Sequence, residues 1–295
     1  MSRLADLAEL VRAPAALSVP GDVLAGAAAA GTLDRRTPAL AGASVLLYWA
    51  GMAGNDWADR RLDAVERPER PIPSGRVHPA AALGVAAGLT AAGVALATAA
   101  GGRRAAAVAV PLAAAIWGYD LLAKDTAAGP AVMAACRGLD VLLGASAGPG
   151  RRGAARPVRR AAPALLRAVP AALTVAAHTW TVTALSRREV SGADRRLPRA
   201  TLAGTALVAA TALGRADPVP MALAAGYATR YGAAQAKVLA DPSPPRVRAA
   251  VGAGITGLPA LQGALTARAG ARYLGLAVAA AAPLGRRLAR LISPT

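Results

Sequence analysis

Phenylalanine is missing altogether, and aromatic residues make up only 3% of the 295 residues. A water-soluble core of this size leans on large rings to fill its centre, so their scarcity argues against one. Charge is short as well, at 17% against the roughly 25% of an average soluble domain. A single cysteine, Cys136, excludes a disulfide framework within the chain. It lies in an apolar run and reads as a small core residue. No zinc-binding spacing, reactive-thiol setting or Ser/His/Asp arrangement stands out. Acids are scarce beside bases: 16 Asp and Glu against 34 Lys and Arg leave a net charge of +18. Such a balance suits nucleic acid, an anionic membrane surface or an anionic substrate. The arginines fall between long apolar runs, and no RNP, finger or zipper pattern occurs, so nucleic acid is the poorest fit.

What is abundant is small and apolar. Hydrophobic residues make up 55% of the chain, mostly Ala, Leu and Val, and the mean hydropathy is +0.39. Small residues let helices approach closely inside a bilayer. A bilayer-spanning helix needs ~20 apolar residues. Runs that qualify or nearly so cover 13–32, 38–57, 79–101, 105–123, 130–148, 162–185, 200–214, 217–237, 248–266 and 271–285. The run at 200–214 is short and could join 217–237 as one broken span, giving nine spans rather than ten. No strand-like alternation competes, so the fold class is all-α integral membrane, a single domain over 1–295. Met1 to Arg12 is amphipathic and shows no cleavage pattern, so the first apolar run is expected to stay as the first span.

Two polar segments emerge on the same side. The first, 58–78, holds Arg60, Arg61, Arg67, Arg70 and Arg76; the second, 186–199, holds Arg187, Arg188, Arg195, Arg196 and Arg199. The positive-inside rule puts both in the cytoplasm of a multi-pass cell-membrane protein. The segment 151–167, with six arginines, falls on the opposite side in this count and argues against that orientation.

The second apolar run ends in Asn55-Asp56-Trp57-Ala58-Asp59-Arg60-Arg61-Leu62-Asp63. On a helix Asn55, Asp59 and Asp63 lie along one face, with Asp56 close beside them. Carboxylates this crowded at a membrane boundary repel one another and need a counter-charge. Hard divalent cations such as Mg²⁺ take oxygen ligands and often share them with substrate phosphates. Beside an apolar cavity, such a comb suits a lipid diphosphate: the metal bridges protein and diphosphate while the tail stays in hydrocarbon. Arg67 and Arg70 follow at once in R-P-E-R-P-I-P-S-G, offering fixed forks of donors to phosphate. Pro68, Pro71 and Pro73 stiffen the segment that carries them. Arg60 and Arg61 lie off the acidic face and read as topology charges.

The pattern N-D-x-x-D-x-x-x-D followed by R-P-x-R-P-I-P-S-G resembles the UbiA superfamily of intramembrane prenyltransferases. The match is residue-specific across 54–76 and extends to most of the chain in layout. The resemblance implies a bundle of about nine transmembrane helices around a central cavity and a Mg²⁺-dependent transfer of an isoprenoid group from a prenyl diphosphate to an acceptor. It implies metal ligation by Asn55, Asp56, Asp59 and Asp63, and diphosphate contacts from Arg67 and Arg70. Tyr119-Asp-Leu-Leu-Ala-Lys124 is similar to the Tyr and Lys that the family carries after the fourth span. Lys124 would then contact diphosphate and Tyr119 would face an allylic cation, with an interfacial Tyr/Lys anchor as the plainer alternative. Arg137 and Asp140, three apart within the fifth apolar run, read as a mutual pair. That pair either borders the active site, with Arg137 toward diphosphate, or is purely structural.

The family's second acidic motif, commonly D-x-x-x-D after the sixth span, is not reproduced. Ser186-Arg-Arg-Glu189-Val-Ser-Gly-Ala-Asp194 stands there instead, leaving Glu189 and Asp194 as the available oxygens and Glu189 as the candidate ligand of a second ion. This wording, with D-A-V-E-R-P-E-R-P-I-P-S-G before it, resembles an actinobacterial, Ebo-type UbiA-like branch. His178, in the sixth run, reads as a core or pore-lining residue. The weakened second motif keeps a rival open: a non-catalytic carrier of a prenyl lipid or metabolite on the same scaffold. The acceptor, the donor's chain length and the oligomeric state are not written in the sequence.

Overall fold

The computed structural model describes residues 3–147, 163–213 and 217–281. Most of the six-arginine segment and the end of the last apolar run therefore lie outside the described residues. Those described are helical, with no strand. A short helix α1 (Arg3–Leu10) leads through a 3₁₀ turn (Ala13–Ser18) into α2 (Pro20–Ala30). Then come α3 (Thr37–Glu66), α4 (Pro79–Gly118) with a π-helical turn (Tyr119–Ala123), α5 (Gly129–Ala145), α6 (Ala164–Ser186), α7 (Arg196–Ala212), α8 (Pro218–Ala240) and α9 (Pro244–Arg268). A last helix, α10, covers Arg272–Ala281.

Three details refine the expected pattern. The second run does not stop at residue 57: α3 continues to Glu66 for 30 residues, about 45 Å. Acids and arginines at helical spacing carry it on, and nothing breaks it before Pro68. Residues 58–66 of the first polar segment, expected as a loop capping the cavity, are therefore helix. Next, α4 is two helices in one. Gly102, at φ 65° and ψ −155°, takes a backbone setting closed to side-chain-bearing residues, and the chain folds back there. The Trp117 indole N–H donates to Thr90 Oγ1 at 3.1 Å across the break. Finally, α7 and α8 lie side by side, with Gln235 Nε2 donating to Thr205 Oγ1 at 2.7 Å. They are separate helices and not halves of one broken span.

Among the described residues there are ten α-helices, but these include the eight-residue α1 and an α4 made of two runs, so they are not a count of spans. Among the described residues, Pro79–Ala123 and Ala164–Ser186 are by length and hydropathy apolar enough to cross a bilayer. α3 and α9 are long but carry charge, and α2, α5 and α7 are short. The small residues act as the composition suggests. A Cβ on Gly26 would lie 1.7 Å from the Val141 carbonyl oxygen, and one on Gly144 would lie 2.0 Å from that of Val23. α2 and α5 therefore cross backbone to backbone. One apolar core gathers Val175, Leu185, Tyr227, Tyr231 and Leu261. A second gathers Val23, Leu40, Leu47, Leu112 and Leu143. The cavity lies within the second half, where α3, α4 and α5 meet.

Candidate active site

The polar end of α3 presents two rungs. Asp56 and Asp63 stand seven residues apart, which returns to within about 20° of the same helix face. Both are buried, at 4% and 2% exposure. Arg70 Nη1 reaches Asp63 Oδ2 at 2.6 Å and Asp56 Oδ1 at 3.3 Å. Arg12 Nη2 reaches Asp56 Oδ1 at 2.9 Å, while half-exposed Arg67 stays 3.9 Å from Asp63. The proline-rich segment makes this possible by turning back over α3. Val77 N–H donates to Pro71 O at 2.8 Å and Ser74 Oγ to Arg70 O at 2.6 Å. Arg76 ties the segment to α1 through Asp6 and Glu9, both at 2.7 Å. These hydrogen-bonded acids hold its guanidinium even more firmly charged than usual.

The other rung faces the end of α4. Asp59 is ion-paired with Lys124, and Asn55 Nδ2 donates to Asp120 Oδ1 at 3.4 Å. The π turn sets this register, with Lys124 N–H bonding back to Tyr119 O at 3.0 Å. Asn55, Asp59 and Asp63 thus do not act as one file. Asp63 shares Arg70 with Asp56, while Asn55 and Asp59 turn toward α4.

Below these rungs runs a cavity with walls of Leu47, Gly51, Met52, Leu112, Ile116 and Met133. Tyr119 and Asp120 line it near the carboxylates, and Ser44, Arg137 and Asp140 line its far end. Arg137 does not pair with Asp140 as expected. Its Nε meets Asp22 Oδ2 at 2.8 Å, because α2 crosses α5 there, and Asp140 accepts from Ser44 Oγ at 2.7 Å.

The segment after α6 folds onto its neighbours. Arg187 donates to Thr126 O, Ala193 N–H to Pro242 O at 3.0 Å, and Arg248 Nη1 to Glu189 O at 2.8 Å. Partial burial pushes the Glu189 carboxyl above its usual range, opposed by the charge of Arg248. Asp194 is spent on structure. Its Oδ1 accepts from the Arg196 and Leu197 N–H groups at 2.9 Å each, capping α7 and holding its pKa low. His178 is a core residue, 2% exposed, with Nδ1 at 2.8 Å from Tyr227 Oη.

Two residues escape a sequence reading. Arg12 looks like a topology charge before the first run, and its partner Asp56 lies 44 positions away. Asp120 sits beside Tyr119, but its place next to Asn55 depends on how α3 and α4 pack. Among the described residues no three His, Cys, Asp or Glu side chains close into a ready metal cluster. The acids of α3 are neutralised by Arg12, Arg70 and Lys124 instead. The donors are nonetheless all oxygen or amide, and Asp120 Oδ2 is buried without a hydrogen-bond partner. That chemistry fits a hard divalent cation.

Comparison with known proteins identifies the family and the fold. A family model for the UbiA prenyltransferase family matches residues 18–251. Digeranylgeranylglyceryl phosphate synthase of Methanothrix thermoacetophila is 44% identical over 80 residues, 26% of this chain and 30% of that protein. The enzyme of the same name from Natronomonas pharaonis is 44% identical over 85 residues, 28% and 31% of the two chains. The matched stretch therefore spans less than a third of these relatives' length. Among solved structures, a UbiA homologue from Archaeoglobus fulgidus bound to GPP and Mg²⁺ superposes with a TM-score of 0.62, covering 93% of this chain and 99% of that one at 13% identity. The apo UbiA homologue from Aeropyrum pernix K1 gives 0.63 over 88% and 96% at 18% identity. At such identity these likenesses show the fold.

Proposed function

Because the chain belongs to the UbiA prenyltransferase family, we propose that it is a Mg²⁺-dependent intramembrane prenyltransferase. It moves an isoprenoid group from a prenyl diphosphate to a small or lipophilic acceptor. The observation that carries this reading is the polar end of α3, where Asn55, Asp56, Asp59 and Asp63 meet Arg12, Arg70 and Lys124 beside an apolar-walled cavity. The Archaeoglobus fulgidus homologue, with GPP and Mg²⁺ bound, supports the donor class and the metal.

Asn55, Asp56, Asp59 and Asp63 would hold the metal, which neutralises diphosphate charge and eases its departure. The same acids hold Arg12, Arg70 and Lys124 in place. These cations and Arg67 would offer their N–H donors to the diphosphate oxygens. The bond between the allylic carbon and the bridging oxygen breaks, and the diphosphate leaves with the electron pair. Arg70 and Lys124 stabilise the growing negative charge. Tyr119 lines the cavity where the allylic cation forms, and Leu47, Leu112, Ile116 and Met133 keep water from it. The acceptor adds to the cation and loses a proton. Glu189 stands in the cap segment, where the Arg248 charge faces it, and is assigned no ion here. By the positive-inside rule, the arginine-rich segments 58–78 and 186–199 would face the cytoplasm.

Incubation of purified protein in lipid nanodiscs with labelled prenyl diphosphates, Mg²⁺ and a panel of phenolic, glycerol-phosphate and polyprenol acceptors tests the reading. Transfer of label to an acceptor supports it. Tight binding without diphosphate release would favour the carrier. No binding at any chain length would remove the prenyl-diphosphate assignment.

A further inference from the structure

Several buried acids have no part in that scheme, and one of them stands beside the α3 carboxylates. Asp120 is 5% exposed and lines the cavity beside the α3 carboxylates. Its Oδ1 receives only the long contact from Asn55, at 3.4 Å. Its Oδ2 is buried and has no hydrogen-bond partner. A buried carboxylate oxygen without a partner is costly, and a ligand in the cavity would satisfy it.

The surroundings keep room for one. A Cβ on Gly54 would stand 3.5 Å from Asp120 Oδ2, and one on Gly51 would stand 3.9 Å away. Any longer side chain at either position would fill the space in front of that oxygen. The π turn fixes the direction. It brings Asp120 to Asn55 and Lys124 to Asp59, two rungs one helical turn apart on α3. Single-turn π segments recur at functional sites because they re-aim side chains in this way. The charges of Lys124, Asp59 and Asp56 all act on Asp120. Asp140 Oδ1 is likewise buried without a hydrogen-bond partner and lines the same cavity, but Asp140 sits at the far end with its other oxygen accepting from Ser44 at 2.7 Å, away from the α3 carboxylates. Asp194 caps α7, and Glu189 lies in the cap segment against Arg248.

We infer that Asp120 is a further oxygen ligand of the metal–diphosphate site, entering through Oδ2 beside Asn55. The inference rests on the metal–diphosphate reading given above. The ligand class is a hard divalent cation, Mg²⁺ or its reporter Mn²⁺.

The test is Mn²⁺ binding followed by electron paramagnetic resonance, using full-length protein in nanodiscs with a non-reacting prenyl thiodiphosphate. Asp120→Asn is expected to weaken Mn²⁺ binding about tenfold or more, and Asp194→Asn to leave it unchanged. Asp120→Cys is expected to reverse the metal order, taking Cd²⁺ more tightly than Mn²⁺, because a thiolate is a soft ligand. Wild-type Mn²⁺ affinity in Asp120→Asn would overturn the assignment of Asp120 and leave the site itself standing. Absence of Mn²⁺ binding in the wild type would remove the whole site, and this ligand with it. Should Asp120→Asn fail to fold, Asp120→Cys decides: Cd²⁺ bound in preference supports the ligand role, and no preference overturns it.

Discussion

Asp56 and Asp63 are carboxylates held out of water, and Arg70 is what makes their burial tolerable. One guanidinium nitrogen serves both, at 3.3 and 2.6 Å, and Arg12 shares the load on Asp56. Arg12 adopts φ 47° and ψ 51°, a left-handed setting that costs a side-chain-bearing residue about 1–2 kcal/mol. Arg70→Ala leaves two buried acids under-neutralised, so it is expected to cost about 3–5 kcal/mol of stability. Thermal unfolding in detergent measures this. Mg²⁺ added with a prenyl diphosphate should restore part of the loss, since a bound cation replaces the missing charge. A variant as stable as the wild type would show that Arg70 does not balance these acids.

At the scale of elements, backbone contact between α2 and α5 governs the packing. The Gly26 and Gly144 positions face carbonyl oxygens of the opposing helix at 1.7 and 2.0 Å from a would-be Cβ, and a backbone oxygen cannot step aside as a side chain can. Gly144→Leu is expected to prise the helices apart and destabilise by about 1–3 kcal/mol or more, read as a lower thermal midpoint. The separation would also pull Asp22 from Arg137. Much of this layout is legible in the sequence. The apolar runs coincide with helices, the small residues sit where helices touch, and the α3 acids stand beside arginines from the proline-rich segment. What is not legible is partner choice. Arg137 meets Asp22 on α2 because α2 crosses α5, and no spacing within the fifth run shows that. Asp120 reaches Asn55 through a π turn and a fold-back at Gly102, neither of which hydropathy records. The length of α3 is misjudged when hydropathy alone marks a helix end, since its last nine residues include five charged ones but remain helical.

For the whole molecule, the cap is built from segments far apart in the chain that meet at one end. Residue 187 reaches 126, residue 193 reaches 242, and residue 76 reaches 6 and 9. If this end lies in the cytoplasm, a cysteine placed at exposed Ser74 should resist a membrane-impermeant thiol reagent in intact cells and react in inverted vesicles. Native Cys136 is buried and gives little background. Labelling in intact cells would reverse the orientation without touching the site. The measurement that bears most directly on the site is Mg²⁺-dependent release of diphosphate from a prenyl diphosphate by wild-type protein and by Asp59→Ala. The account predicts release that stops when Mg²⁺ is chelated and falls by about 10²–10³-fold in Asp59→Ala. Release that is indifferent to Mg²⁺, or undiminished in Asp59→Ala, would contradict it.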